Sequence, residues 1–478
     1  MIQMNSKVIL CSILYACIAT LIIAIIGKQT GLFWDNVLFA NKMSAPLIEN
    51  GVFAWGSIPT EIDPGHPPLL ASYLTIIWSF WGRCLSTTHL AMLPFVFLFI
   101  LVCFHVCYAI FLDIKWTCLA ISMLLTDSTI LANLTYIGCE NLILCFSIIA
   151  ILGIVRNNPI LKCVGLMLLG ISTLRGMLLC AGLFLWDYSR HIIQSKQKSL
   201  LSFFTLGNCI AYLVGATPAL IFLGWRLTTK GWIIGNPLHP WGEAFGYNTI
   251  IEFLSNFLRN FVVLIHRHID FGRVIPILFI LIALYVYRKQ LKTDKRLLSL
   301  ILLCILPCSL VGITSLFICN PMGHCYYLLS YMGIAILFVY LLRQVIPSSN
   351  HIICYLFAVY SLILGNLIVY PDKISQGWNS SLASLPFWNV RNQALCYIKE
   401  NEICPNKVLT YFPFGHCSDD LDLNGDTQKY ALDVTEAEYI MVSNVCNLDD
   451  ETIDMLHRYT PIAHFEKHRV YVTIYNVP

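Results

Sequence analysis

The 478-residue chain has little charge, since Asp, Glu, Lys and Arg make up 12% of it, against about 25% in an ordinary soluble domain. Hydrophobic residues make up 57%, which excludes a soluble enzyme and indicates an integral membrane protein. The net charge of +3 is small and dispersed along the chain. Nucleic acid is therefore not an expected partner, and membrane lipid is. Neither an internal repeat nor a low-complexity segment is evident.

Several uninterrupted apolar runs, such as 8–27 and 201–225, reach the length that spans a bilayer. They are predicted to be helices, because lipid offers no partner for open backbone groups. The run 8–27 is too long for the apolar part of a secretory signal and lacks a small-residue cleavage motif, so we expect a retained first span. The sequence predicts about eleven spans. They lie near 8–27, 87–112, 116–133, 140–156, 160–174, 177–189, 201–225, 272–288, 297–319, 322–343 and 351–370.

Lys and Arg predict the orientation, because short cytoplasmic loops are rich in them. With the N-terminus in the cytoplasm, every short inside loop is basic, including 288–296 with five basic residues. The outside then holds two long loops, 28–86 and 226–271, and the tail from 371. A single span over 160–189 would place loop 288–296 outside, which disfavours that version.

The sequence divides into a transmembrane domain, 1–370, and an extracytoplasmic domain, 371–478. The second part loses the apolar runs and gains Asp, Glu and Asn. Its patterns predict a small α/β domain, and about a hundred residues suffice for a core of its own. Helices are expected at 387–400 and 449–458, strands at 407–412 and 438–443, and a hairpin at 464–475.

Sixteen of the twenty cysteines precede residue 371, mostly in apolar runs where a thiol behaves as a small hydrophobe. The other four are Cys396, Cys404, Cys417 and Cys446. Their spacing matches no zinc pattern, and in an oxidising compartment they could pair as disulfides. His266 and His268 have an H-x-H spacing without an evident third ligand, so no metal site is predicted.

The first long loop carries the densest set of candidate catalytic residues. Asp35 lies just beyond the first span, where a carboxylate can act as a general base on an acceptor hydroxyl. Asp63 and His66 follow in the same loop. Solvated surface residues are the alternative for all three, since most carboxylates are surface groups. The aromatic segment 69–81 is too short to span the bilayer and is predicted to be an interfacial helix.

Arg175 lies between two apolar segments, where an unpaired charge is costly. Its planar guanidinium group could form two parallel hydrogen bonds to a phosphate at the headgroup level. A salt bridge to Glu140 is the alternative.

Two more stretches carry polar groups at the outer face. Segment 236–243 contains His239 and Glu243, as a sugar-binding loop would, and segment 320–327 places His324 and Tyr327 at the outer end of a span. An interfacial anchor is the alternative for each stretch.

The first loop combines an acid just after the first span, the motif D-x-x-H-P-P-L from Asp63 to Leu69, and an interfacial helix closing with W-G. In these features it resembles the first loop of the GT-C superfamily of membrane glycosyltransferases. The nearest branch is family 39-like and contains protein O-mannosyltransferases and lipid A aminoarabinose transferases. Asp35-Asn36 stands where the family usually has Asp-Glu.

Later segments resemble the same family in the same order. Glu140 begins a span as the family's acid does, Leu174-Arg175-Gly176 stands where Thr-Lys-Gly is frequent, and Gly323 to Tyr327 is similar to its late H-x-x-Y or R-Y element. The resemblance covers about 1–345, and the extracytoplasmic α/β tail is also similar.

The resemblance implies transfer of a sugar from a polyprenyl-phosphate carrier to a hydroxyl of a lipid, glycan or protein at the extracytoplasmic face. Asp35 would be the general base, Asp63 a second catalytic residue, and Arg175 the group that holds the departing lipid phosphate. The implied substrate-binding residues are His66, Glu140, Arg175, His239, Glu243, His324 and Tyr327. No catalytic metal or other cofactor is expected beyond the lipid-linked donor, although other GT-C branches use a divalent metal.

The compact loops are typical of a bacterial protein, which implies the inner membrane with a periplasmic tail. A transporter or flippase is one alternative, but such proteins often contain internal repeats. The charged candidate site residues here also lie near the outer membrane interface. A catalytically inactive GT-C relative is another.

Overall fold

The computed structural model describes residues 6–195, 200–234, 236, 246–291 and 293–477. Helix makes up 68% of the described residues, as the apolar runs predict. The α-helices up to residue 365 are α1 (Ser6–Gly27), α2 (Ser44–Asn50), α3 (Leu69–Trp81), α4 (Leu85–Phe111), α5 (Ile114–Thr126), α6 (Ser128–Thr135), α7 (Cys139–Val155), α8 (Pro159–Gly170), α9 (Leu174–Gln194), α10 (Leu206–Lys230), α11 (Ile250–Ile269), α12 (Val274–Val286), α13 (Lys295–Ile305), α14 (Ser309–Leu316), α15 (Leu328–Val345) and α16 (His351–Gly365).

Six helical segments in the described ranges are long and apolar enough to cross a membrane. The bent pairs α5–α6 and α11–α12 raise this number to eight if each pair is one span. Every predicted span overlaps one of the helices or bent pairs, and the predicted polytopic helical membrane fold is confirmed. The number of eleven spans stays a prediction.

Side-chain caps explain why the region 160–189 forms two helices rather than one. Asn158 accepts hydrogen bonds from backbone N–H groups in the first turn of α8, and Pro159 stands at its first position. Thr173 caps α9 by accepting the N–H of Gly176 at 2.9 Å. The chain therefore turns between α8 and α9 and brings the start of α9 to one end of the bundle.

The centre of the bundle is formed by α7 and α15, and α1 lies at its edge. Within its most apolar window, the α15 segment is 89% buried and α1 only 17% buried. Side chains such as Leu10, Ile18 and Leu21 of α1 are exposed, as expected of a helix that faces lipid.

The two bent helix pairs are joined by one buried ion pair. α5 and α6 meet at 75°, and α11 and α12 meet at 90°. Arg273 at the second bend donates from Nε and Nη2 to both carboxylate oxygens of Asp127 at the first, at 2.6 and 2.8 Å. Two parallel charge-assisted bonds of this kind fix the relative orientation of the two bends.

Helix α11 has the pattern of a helix that lies in the membrane interface. Its exposed apolar side chains include Ile251, Leu254, Leu258 and Val262, which recur three to four residues apart. Asn260 is its one buried residue among those described. The 90° turn into the apolar helix α12 is consistent with α11 running along the bilayer surface.

The tail forms the small α/β unit that its sequence predicts. Its elements are β1 (Val408–Thr410), β2 (Tyr439–Ser443), β3 (Thr460–Lys467), β4 (Val470–Asn476), α17 (Pro386–Glu400), α18 (Asp419–Asp422) and α19 (Asp450–Leu456). The sheet order is β1-β2-β4-β3, with β1 and β2 parallel and the other neighbouring pairs antiparallel. Helix α17 packs on β3 and β4.

The tail packs directly on the first long loop. Arg83 pairs with Asp419 and Lys42 pairs with Asp420, each at 2.6 Å. The backbone N–H of Leu32 donates to the carbonyl of Leu421 at 2.8 Å. The path of the chain just before Asp35 is therefore set by the tail.

We expect Gly272→Ala to destabilise the protein more than Gly231→Ala. Both glycines have positive φ, +82° and +77°, so each alanine costs about 1–2 kcal/mol in backbone strain. A Cβ at Gly272 would also lie 1.9 Å from the carbonyl oxygen of Ser361, and such overpacking adds roughly 1–3 kcal/mol. A Cβ at Gly231 would meet nothing within 4 Å. Thermal melting in detergent measures both, and equal melting midpoints would contradict this packing of the α11–α12 bend.

Candidate active site

Asp35 is held by the aromatic residues that precede it. Phe33 is buried among Tyr136, Phe387 and Trp388, with ring centroids 5.3–5.9 Å away. Trp34 has a positive φ of 52°, which a non-glycine residue adopts only at an energetic cost. The chain continues into a π-helical turn, Val37–Lys42, a feature that is frequent at functional sites.

The Asp35 carboxylate is reached by solvent but surrounded by protein. The pKa of Asp35 is raised to about 6, mainly by desolvation and in addition by repulsion from Glu140, while attraction by Arg175 opposes both effects. Among the described residues, none donates a hydrogen bond to this carboxylate. An accessible, unpaired carboxylate with a raised pKa is suited to accept a proton near neutral pH.

Arg175 forms an ion pair with Glu140, the partner that the sequence suggested as the alternative to a phosphate. Its Nη2 donates to Oε1 of Glu140 at 2.7 Å, and its Nη1 donates to the carbonyl of Cys325 at 3.0 Å. The guanidinium carbon lies 4.5 Å from the centre of the Tyr326 ring. Arg175 and Glu140 are both mostly buried, so their charges interact strongly with each other and with Asp35.

Two helix N-termini meet at this cluster. Glu140 lies in the first turn of α7, and Arg175 lies in the first turn of α9. Helix N-termini carry partial positive charge and favour anions. Together with Arg175 they form an environment in which a phosphate can be stabilised.

Asn36 lies against Glu140 at the entrance of α7. A Cβ on Gly138 would lie 2.6 Å from Asn36 Oδ1 and 2.8 Å from Glu140 Oε2. Asn36 is buried, and the absence of a side chain at Gly138 lets the amide approach the carboxylate.

Asp63 and His66 fix the first loop to the helices around the cluster. Asp63 forms a buried ion pair with Arg226 of α10 at 2.7 Å and accepts the N–H of Gly65 at 3.0 Å. His66 Nδ1 accepts the backbone N–H of Leu174 at 3.1 Å. His66 therefore caps the turn that carries Arg175, and both contacts favour positioning roles. A catalytic role for Asp63 stays a prediction.

Of the remaining predicted site residues, two are described by the structure, His324 and Tyr327. His324 is fully buried, and its Nε2 lies 2.9 Å from Oδ2 of Asp270. Tyr327 is buried, with its ring 5.0 Å from that of His268. His239 and Glu243 lie outside the described residues, so their predicted roles stay predictions.

Three residues that contribute to the site were not among the predicted site residues, namely Tyr326, Trp34 and Arg226. Tyr326 and Tyr327 are adjacent in a 3-10 turn, His324–Tyr327, where successive side chains point about 120° apart. The sequence shows two tyrosines but not which one faces Arg175.

An apolar cavity of about 280 Å³ opens beside the site between α1, α4 and α6. Its wall includes Tyr136, whose ring contacts Phe33, and its polar lining includes Lys28 and His89.

All four tail cysteines are free thiols.

The fold is similar to that of a solved structure, ArnT from Cupriavidus metallidurans, which was crystallised with undecaprenyl phosphate bound. The TM-score is 0.54 at 10% sequence identity, over 96% of this chain and 97% of that one. No protein family model and no curated protein matches the sequence. The predicted resemblance is thus confirmed as a likeness of fold.

We expect Asp63→Asn and Asp35→Asn to change stability differently. Asp63→Asn leaves the Arg226 charge buried without its partner, which typically costs about 3–5 kcal/mol. Asp35→Asn removes a desolvated carboxylate that has no bonded partner among the described residues, so it should leave stability unchanged or raise it. Thermal melting of the two variants at pH 7 measures the difference. A lower melting midpoint for Asp35→Asn than for Asp63→Asn would contradict these assignments.

Proposed function

We propose that this protein is a glycosyltransferase that moves a hexose or pentose from a polyprenyl-phosphate donor to an acceptor hydroxyl at the extracytoplasmic membrane face. The observation that carries the proposal is the accessible Asp35 carboxylate beside Glu140 and Arg175. The fold supports it. The acceptor is a lipid, a glycan or a protein.

Asp35 would act as the general base. The acceptor hydroxyl gives its proton to the Asp35 carboxylate while its oxygen bonds to the anomeric carbon of the sugar. The bond between that carbon and the phosphate oxygen breaks, and its electron pair leaves with the polyprenyl phosphate. Because the pKa of Asp35 is raised to about 6, its carboxylate is a stronger base than an ordinary aspartate and is still mostly ionised at pH 7.

Arg175 would stabilise the charge that develops on the phosphate. Its guanidinium already lies between Glu140, the Cys325 carbonyl and the Tyr326 ring, which leaves it little conformational freedom to lose. Glu140 would orient it, as a carboxylate partner commonly does. The N-termini of α7 and α9 add favourable potential for the same anion.

The apolar cavity between α1, α4 and α6 would receive the first isoprene units of the donor. Its volume of about 280 Å³ and its lining by Ile23, Leu90, Met92 and Val96 suit a branched hydrocarbon. The bound undecaprenyl phosphate in the ArnT structure is a lipid of the same class.

The proposal places the protein in a bacterial inner membrane with the N-terminus in the cytoplasm. Domain 1–370 would carry the catalytic groups, and domain 371–478 would cover the first loop on the periplasmic side. The contacts between the tail and the first loop support one shared compartment for both, since Lys42 and Arg83 pair with tail carboxylates.

We expect Asp35→Asn to lower transfer by roughly 10²-fold to 10⁴-fold, because it removes the base. The donor sugar is first identified by mass spectrometry of the lipid-linked sugars that accumulate in cells lacking the protein. Transfer from that donor is then measured with purified protein in liposomes.

The control for this variant is its binding of undecaprenyl phosphate, measured by native mass spectrometry, which should match that of the wild type. A second control, Asp433→Asn, changes an exposed tail carboxylate and should retain full activity. Wild-type transfer by Asp35→Asn would refute the role of Asp35. An absence of transfer by the wild-type protein from every accumulating lipid would favour an inactive relative.

The pH dependence of kcat/KM should report the Asp35 carboxyl. Activity should fall as the pH drops below about 6, because protonation removes the base. Glu140→Gln removes a repulsive charge, so it should lower the pKa of Asp35 and move the acid limb to lower pH. An acid limb that stays in place in Glu140→Gln would show that another group controls it.

A further inference from the structure

A second cluster of ionisable side chains lies at the α11–α12 bend. His266, Asp270 and His324 each place one ligand atom within 4.8 Å of the others. His324 Nε2 lies 2.9 Å from Asp270 Oδ2, and His266 Nδ1 lies 4.0 Å from the same oxygen. The proposed transfer reaction uses none of these three groups.

Asp270 is a largely buried carboxylate without a bonded Lys or Arg side chain in the described part of the chain. The nearby Arg273 directs its guanidinium at the Asp127 carboxylate instead. The Asp270 carboxylate therefore has no Lys or Arg side chain in direct contact within the described residues, although Arg273 acts on it at longer range, and a buried charge favours a partner in contact. A cation bound between the three side chains would supply one.

The separations suit a divalent transition metal. Tetrahedral zinc with ligands at 2.0–2.1 Å has ligand atoms about 3.3 Å apart, and the observed 2.9 and 4.0 Å lie on either side of that value. The gap between His266 and Asp270 is too long for a hydrogen bond. Two imidazoles and a carboxylate are a common zinc donor set.

Neighbouring groups would orient these ligands and leave a route to solvent. Tyr370 Oη donates to Asp270 Oδ2 at 2.5 Å, and the Phe271 N–H donates to Asp270 Oδ1 at 2.7 Å, as outer partners of metal-bound carboxylates do. The His266 side chain is 47% exposed. A metal ion can therefore enter from the His266 side, with water as a fourth ligand.

We propose that His266, Asp270 and His324 bind one divalent transition-metal ion of the zinc class. The ion would join the end of α11 to the turn His324–Tyr327. Cys325 and Tyr326 of that turn contact Arg175, so the metal would stabilise the position of Arg175 without contacting the reacting sugar.

The test is the metal content of the full-length protein with its affinity tag removed. The protein is treated with EDTA, dialysed against Zn²⁺, and then dialysed against metal-free buffer. Mass spectrometry of the metal should then find one Zn²⁺ per wild-type chain. His266→Ala should lower this content by roughly tenfold or more. Because His266 is exposed, the variant should fold. Co²⁺ in place of Zn²⁺ should give the visible absorption of a tetrahedral site in the wild type only.

The matched control is His268→Ala, two residues away. His268 Nδ1 bonds the Leu264 carbonyl at 2.8 Å, and its ring lies on Tyr327, so its removal should leave the metal content unchanged. Wild-type protein that retains no Zn²⁺, or His266→Ala that retains as much as the wild type, would overturn the proposal. Neither readout depends on sugar transfer, so the result is separate from that of the proposed function.

Discussion

The candidate site depends on an imbalance of charge at the end of the helix bundle. Glu140 and Arg175 lie close enough to Asp35 to shift its pKa, and the three groups comprise two acids and one base. Arg175 is committed to Glu140 at 2.7 Å, so Asp35 keeps a charge that no bonded partner neutralises within the described residues. Such an arrangement costs stability, and ionisable groups perturbed in this way cluster at functional sites.

The rest of the structure holds these three groups in place. Thr173 and His66 cap the start of α9, which carries Arg175. Glu140 begins α7, one of the most buried helices. The strained backbone at Trp34 is fixed by aromatic contacts that include Phe412 of the tail, 4.9 Å away. Strain and uncompensated charge at one place are both offset by packing elsewhere.

The sequence could predict the helices well because lipid permits few alternatives. Apolar runs gave the spans, and a proline-led aromatic segment gave α3 with its observed bounds, Leu69–Trp81. The Arg175–Glu140 pair was also foreseen, as one of two alternatives, since a buried cation requires an anion. The helices and strands of the tail were predicted from the spacing of their apolar residues.

Other features could not be derived from the sequence because they depend on which helices are neighbours. No local signal connects Asp63 with Arg226, which only the packing of α10 on the first loop brings to 2.7 Å. The third ligand of the proposed metal site, His324, is also remote in the sequence, 54 residues from Asp270. A spacing rule finds ligands that share one helix, whereas this cluster joins a helix end to a remote turn.

The motif from Asp63 to Leu69 carries the strongest resemblance, yet its contacts are structural. Its aspartate pairs with α10 and its histidine caps α9, while its prolines lead into α3. A loop that holds three helices around Arg175 tolerates little change in residue type, because each contact requires one donor or acceptor geometry. These positioning contacts explain the specificity of the motif, whereas Asp35, the proposed base, has neighbours in the sequence that carry a weaker signal.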